Sequence, residues 1–138
     1  MADSFFNSFL DGILGSHATR VDLDSDTIKM YLHDAGAGGA MNASTQDFYN
    51  DVQAGLVGTA YTLANKVIGS PAVGVFDNTV DPAPAFTSVT GASCEALVLY
   101  KDTGTPTTSD LICWFDITLT PNGGDVNVTF NASGIFKV

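Results

Sequence analysis

The sequence predicts a mainly β fold: an antiparallel β-sandwich or jelly-roll-like domain with a short N-terminal helix and one further short helix. Three observations lead there. From Cys94 to Val138, apolar and polar residues alternate in the runs CEALVLYKD, LICWFDITLT, DVNVTFN and SGIFKV, with Gly, Pro, Asn, Asp and Thr at the breaks. The length of 138 residues is enough for one core and too short for two, so the chain reads as a single domain over 1–138. Charged residues make up 14% of the chain against the usual value of about a quarter, which implies a surface of Thr, Ser, Asn and Gly. Residues 94–138 hold the core strands, and the earlier segments are added to them.

Taken in order, Phe5, Phe6, Phe9, Leu10, Ile13 and Leu14 fall at helical spacings, with Ser4 placed to cap the first turn and Gly15 to end the last. Residues 1–15 therefore form a helix or arm, which either covers one end of the core or docks on a neighbouring subunit. Its polar face carries Asp and Asn instead of Lys and Arg, which argues against a membrane anchor.

Asp22, Asp24 and Asp26 share the first half of a calcium-loop spacing. Thr27 replaces the required glycine and His33 the bidentate Glu, which excludes an EF-hand and leaves a solvated acidic turn or a looser calcium site. The run TIKMYLHD alternates Ile28, Met30 and Leu32 against Lys29, Tyr31 and His33, as a strand does. A Gly- and Ala-rich loop from Asp34 leads to Ser44 or Thr45, either of which can cap a short helix, TQDFYNDVQA, with Phe48 and Val52 on one face. A strand pattern resumes in TAYTLANKVIGS and stops at Pro71. Pro82 and Pro84 mark a sheet edge or loop, and Phe86 and Val89 return to the core. Trp114, between Cys113 and Phe115, belongs to a strand covered on both faces, and a second subunit is a candidate for one cover.

Charge narrows the function. The net charge is −10, and the five cations Arg20, Lys29, Lys66, Lys101 and Lys137 are scattered. That pattern cannot displace counterions from phosphates, so neither nucleic acid nor an anionic membrane is an expected partner. No apolar run reaches the length of a membrane span, and the N-terminus lacks the basic start and cleavage site of a secretory signal, so synthesis in a cytoplasm is expected. Cys94 and Cys113 would lie several residues out of register in a hairpin around DTGTPTTSD and are expected to be free buried thiols.

The residues point to no reaction. Asp102-Thr103-Gly104 matches an aspartic-protease triplet in letters only, since that chemistry needs two such carboxylates and one copy is present in a hairpin loop. His17 and His33 have no nucleophile-elbow serine beside them, and with Cys94 and Cys113 they lack paired zinc spacing. Asn42, Asn127 and Asn131 each open a glycosylation triplet, read as chance in an Asn- and Thr-rich chain. No catalytic, cofactor-binding or metal-ligating residue is assigned, and an enzyme is not expected.

Several phrases occur in a recognisable order: FFNSFLDGIL, VDLDSDTIKMYL, GTAYTLANKVI, ALVLYKDTGT and the closing NASGIFKV. In that order and over nearly the whole chain, it resembles a family of small virion structural proteins of tailed bacteriophages. It departs from the family in the long segment PAVGVFDNTVDPAPAF and in lacking a glycine pair after Tyr61. The resemblance implies a β-sandwich or jelly-roll-like capsid decoration, or cement, protein, made in the host bacterial cytoplasm and carried on the capsid exterior. Its partners would be the major capsid protein and copies of itself, a trimer being favoured, with no cofactor. The expected contacts are Phe5, Phe6, Phe9, Leu10 and Ile13 of the helix, Trp114, and the loop from Asp34 to Asn42. A tail, neck or fibre component, acting as adaptor or receptor binder, is the alternative reading, and a soluble enzyme comes third.

Overall fold

The computed structural model describes residues 3–15 and 21–138. It is mainly β, with two antiparallel sheets. The larger sheet contains β1 (Ser4–Phe5), β2 (Ile28–His33), β3 (Leu56–Thr62), β6 (Cys94–Lys101) and β7 (Leu111–Leu119) in the order β1-β7-β6-β2-β3. The smaller contains β4 (Lys66–Ile68), β5 (Val75–Asn78) and β8 (Phe136–Lys137) in the order β4-β5-β8. Among the described residues there are also two short α-helices, α1 (Asn7–Ile13) and α2 (Ala35–Gly38), and three 3₁₀ turns.

The strand pair β6–β7 is the hairpin expected around DTGTPTTSD, and β2 lies against its other side. Rows of three residues cross the sheet at the same level, such as Leu32–Leu97–Phe115 and Tyr31–Val98–Trp114. The first row faces one core cluster, shared with Phe76, Phe86, Val89 and Ile135. The second faces another cluster with Phe6, Met41 and Val52. Two faces are thus buried, so β2 does not alternate between core and water as its pattern suggests. Tyr31 and His33 are as inaccessible as Ile28 and Met30. In β7 a register shift opposite Leu99 and Tyr100 puts the consecutive Ile112 and Cys113 in the same cluster.

At the N-terminus, Ser4 is no helix cap. It pairs with Trp114, and Phe5 with Cys113, as a short edge strand, and α1 begins only at Asn7. Strand alternation sends the two phenylalanines to opposite faces. Phe5 stacks on Phe9 at 5.8 Å and meets Phe136 edge-on at 5.1 Å, while Phe6 lies 4.9 Å from the Trp114 ring on the other side. Gly15 takes φ 88°, the left-handed conformation expected just past the helix end.

Three further expectations are corrected. The helix expected from Ser44 or Thr45 through Ala54 is replaced by two 3₁₀ turns, Tyr49–Asp51 and Gln53–Gly55. The start of β7 competes for the backbone there: the Asp47 carbonyl accepts from the Leu111 N–H and the Tyr49 N–H donates to Ser109. The second helix is instead α2, inside the Gly- and Ala-rich loop, where the Asp34 carboxylate accepts the Gly36 N–H. TAYTLANKVIGS divides at Asn65, which has φ 56°, into β3 and β4, and these enter different sheets. Finally, residues 94–138 do not supply the core strands alone, and those they hold divide between the two sheets. Only β6 and β7 join the large one, β8 joins the small one, and Val126–Phe130 runs extended beside Pro82–Phe86 without becoming a regular strand.

Removing Phe6 should be costly because its ring fills the space against Trp114. Phe6→Ala is expected to lower the free energy of urea unfolding by about 3–5 kcal/mol. Leu14→Ala, at an 84% exposed position, should stay within about 0.5 kcal/mol.

Candidate functional site

The residues singled out from the sequence separate into an anchored set and an exposed set. Phe6, Phe9 and Trp114 are buried within the chain, so the cover expected over Trp114 comes from its own Phe6. Phe5 is half-buried beside Phe9 and Phe136. Leu10 and Ile13 are exposed and, with Leu14, form an apolar ridge along α1. The same short helix therefore has one side inserted in the core and the other in water.

In the loop from Asp34 to Asn42, Gly36, Ala37, Gly39, Ala40 and Asn42 are exposed and Met41 turns inward. Met41 is buried among Tyr31, Val52 and Trp114, and the loop is held to the sheet by His33. Nε2 of His33 lies 2.8 Å from the Gly39 carbonyl, and Nδ1 lies 3.2 Å from the Tyr31 hydroxyl. A carbonyl only accepts, so Nε2 carries the proton and Nδ1 accepts from tyrosine. Gly38 and Gly55 close around the ring, and a Cβ on either would come within 2.4 Å of Cε1. Burial depresses the His33 pKa, partly opposed by its bond to Gly39 and by the charges of Asp34 and Glu95. Burial also pushes the Tyr31 and Tyr100 phenols well above their usual range; Tyr100 is stacked on Tyr49 at 4.4 Å. This aromatic set is a packed, hydrogen-bonded structural core.

The acidic turn satisfies itself. Asp22 accepts from the backbone N–H groups of Asp24 and Ser25, and Asp26 accepts from the Asp22 N–H and pairs with Lys101 at 3.0 Å. Hydrogen bonds from Ser25, side chain first and then backbone, together with the Asp24 N–H, hold the Asp22 carboxyl below its ordinary value. Asp102 of the protease-like triplet is bound to Lys29 at 2.5 Å and accepts the Gly104 N–H, so it is committed to its loop. Among the described residues no group of three or more His, Cys, Asp and Glu is placed to hold a metal ion, and His17 lies outside those residues. Among the described residues no helix is long and apolar enough to cross a membrane.

A feature not anticipated from the sequence is an apolar groove of about 450 Å³ between the end of β7 and the extended segment Val126–Phe130. Leu32 and Leu97 are in its lining, together with Phe115, Ile117, Leu119, Val128 and Phe130, and Asn127 and Thr129 add polar groups. The period of two in DVNVTFN was the available signal. It gives the inward residues but not the partner, which is set by a chain reversal at Pro121–Gly124. A second, acidic hollow adjoins the groove and shares Ile117 and Thr118 with it, adding Glu95 and Asp116.

No known protein-family model matches the chain, and no curated protein matches it.

Two outcomes follow from the buried titratable groups. His33 is neutral in the fold, whereas the unfolded chain takes up a proton near pH 6.5. Its contribution is therefore complete above that pH and is lost as pH falls below it. Urea unfolding between pH 7.5 and 5 should show stability falling by at most about 1.4 kcal/mol per pH unit from this group, a component missing in His33→Gln. Cys94 and Cys113 are free and buried, with Cys94 pushed up to about 11 and Cys113 also raised, both chiefly by burial. Neither should react with a thiol reagent at pH 8 in the folded protein, and both should react in denaturant.

Proposed function

We propose that the chain is a decoration, or cement, protein of a tailed-bacteriophage capsid, binding the outer face of the major capsid shell as a homo-oligomer, a trimer, and stabilising it. The ordered likeness to small virion proteins supports this reading, as does a low-charge, acidic β domain. The two sheets packing over a common apolar cluster support the sandwich-like architecture that goes with it.

The observation that carries the proposal is the α1 ridge. Leu10, Ile13 and Leu14 are exposed on a helix whose opposite side is anchored by Phe9, with Phe6 just before it, in two separate core clusters. Apolar surface held rigidly in water is a contact surface with little ordering entropy left to lose on docking. One such ridge is small, but a shell presents many symmetric copies of its complement, so modest interfaces acting together can staple subunit junctions.

The test is to mix purified protein with undecorated phage heads and measure sedimentation and shell melting. Many bound copies per particle and a raised shell melting temperature are expected. Ile13→Asp with Leu14→Asp should weaken binding by about tenfold or more while leaving the unfolding of the free protein within about 0.5 kcal/mol. Protein that stays in the supernatant while shells melt unchanged would overturn the reading, and sedimentation with isolated tails would replace it with a tail adaptor.

A further inference from the structure

The α1 ridge is only part of the apolar surface that this chain leaves in water. Among the described residues, the other large hydrophobic side chains that are exposed are Leu56, Ile68, Val73, Val80 and Val138. They collect around one stretch of chain. Leu56 opens β3, Ile68 closes β4, and Val73 lies in the turn from β4 to β5. Val80 follows Thr79, whose N–H donates to the Asn65 carbonyl ahead of β4, and the Val138 N–H donates to the Gly74 carbonyl in that same turn.

The charge is arranged around the same stretch. Of the 15 acidic residues none falls between Asp51 and Asp77, the longest acid-free interval in the chain, and Lys66 is the only charged residue inside it. The interval supplies β3 and β4, the outermost strands of the large and the small sheet. Its most exposed part is the turn: residues 68–73 are all exposed, Val73 at 88%. The Gly69 N–H donates to the Val75 carbonyl and the Val75 N–H to that of Ala72, so the turn is held in shape by its own backbone. In the strand pairing the nearest charged residues are Lys137, opposite Val75, and Asp77, opposite Val67.

We infer that this turn, centred on Ile68 and Val73, is where copies of this chain meet around their symmetry axis. A residue at such an axis meets its own copies, so a charged side chain there faces the same charge and is repelled. Each copy carries a net charge of −10, which leaves few surfaces that can be set against themselves. The turn is one of them: it is uncharged and apolar, and Val73 can pack on Val73. Around a three-fold axis one such turn from each copy converges, and a patch of modest size is shared among three contacts. The inference rests on the homo-oligomer of the proposed reading and not on its shell contact, which uses the α1 ridge.

The experiment is sedimentation equilibrium of the full-length protein over a range of concentrations, with no phage heads present. A reversible oligomer, a trimer, is expected. It should tighten when salt is raised from about 0.05 to about 0.5 M, because salt screens the repulsion between bodies of like charge. Val73→Asp and Val73→Lys alter a side chain that is almost wholly in water, and Ile68→Lys places a lysine where an outer strand tolerates one. Each variant should unfold like the parent when measured on the dilute monomer, and each should associate about tenfold or more weakly. Ile13→Asp with Leu14→Asp should leave association unchanged. The inference is overturned if the parent is a monomer throughout, if association weakens with salt, if the Val73 and Ile68 variants associate like the parent, or if the ridge variant dissociates the oligomer. Weakening by Val73→Asp but not by Val73→Lys would also overturn it, since net charge and not apolar contact would then set association. A monomer that still sediments with phage heads overturns this inference and leaves the shell contact standing; an oligomer that ignores heads does the reverse.

Discussion

The structure depends on one constraint: β2 is buried on both faces. From Ile28 to His33 only Lys29 keeps partial access to water, so the chain must supply a cover for each side. One cover comes from Met41, Val52 and their neighbours, the other from the small sheet with Phe86, Val89 and Ile135. The first of these is fixed more closely than apolar contact alone requires. Tyr31 and His33 are polar and inaccessible, and an unpaired polar group in that position costs about 1–3 kcal/mol. Their hydrogen bonds reach to Gly39, and the space for the imidazole exists only because residues 38 and 55 are glycines. Alternative packings of the loop would leave these groups without partners.

The ridge and the groove lie where covering is incomplete. At the N-terminus β1 pairs with Trp114 and Cys113, and Phe5 and the following Phe6 go to opposite faces of β7. The short α1 that follows buries Phe9 and leaves Leu10, Ile13 and Leu14 outside. At the far end of β7 the second layer is a lone extended segment instead of a strand of the small sheet, and the groove is the gap between them. The ridge and the groove are consequences of the same economy of strand length, and they face different demands. The ridge offers rigid apolar surface, while the groove combines an apolar lining with the polar Asn127 and Thr129.

Much of the strand framework was legible in the residues. β2, β6 and β7 lie where alternation put them, the turn around Gly104 joins β6 to β7, and Cys94 and Cys113 stay apart because the hairpin places them opposite Leu119 and Leu99. Phe86 and Val89 return to the core as expected. The errors share a cause. Ser4 carries a good capping side chain, and Phe48 and Val52 have helical spacing, but in both places the backbone was claimed by β7. Local propensity is worth a fraction of a kcal/mol per residue, and pairing with a strand already in place outweighs it. The polar side of β2 was misassigned because Tyr31 and His33 resemble solvent-facing residues until their partners, distant in sequence, are known.

The order of residues therefore sets the class of the fold, its central strands, its reduced thiols and its acidic character, because each depends on short-range periodicity, on composition or on hairpin register. Which strands share a sheet, which face of each is wet, and where apolar surface is left uncovered depend on contacts between segments tens of residues apart. Val126, Val128 and Phe130 show the division. Their alternation fixes that they point the same way, but only the three-dimensional path of the chain decides that they line an apolar groove against β7.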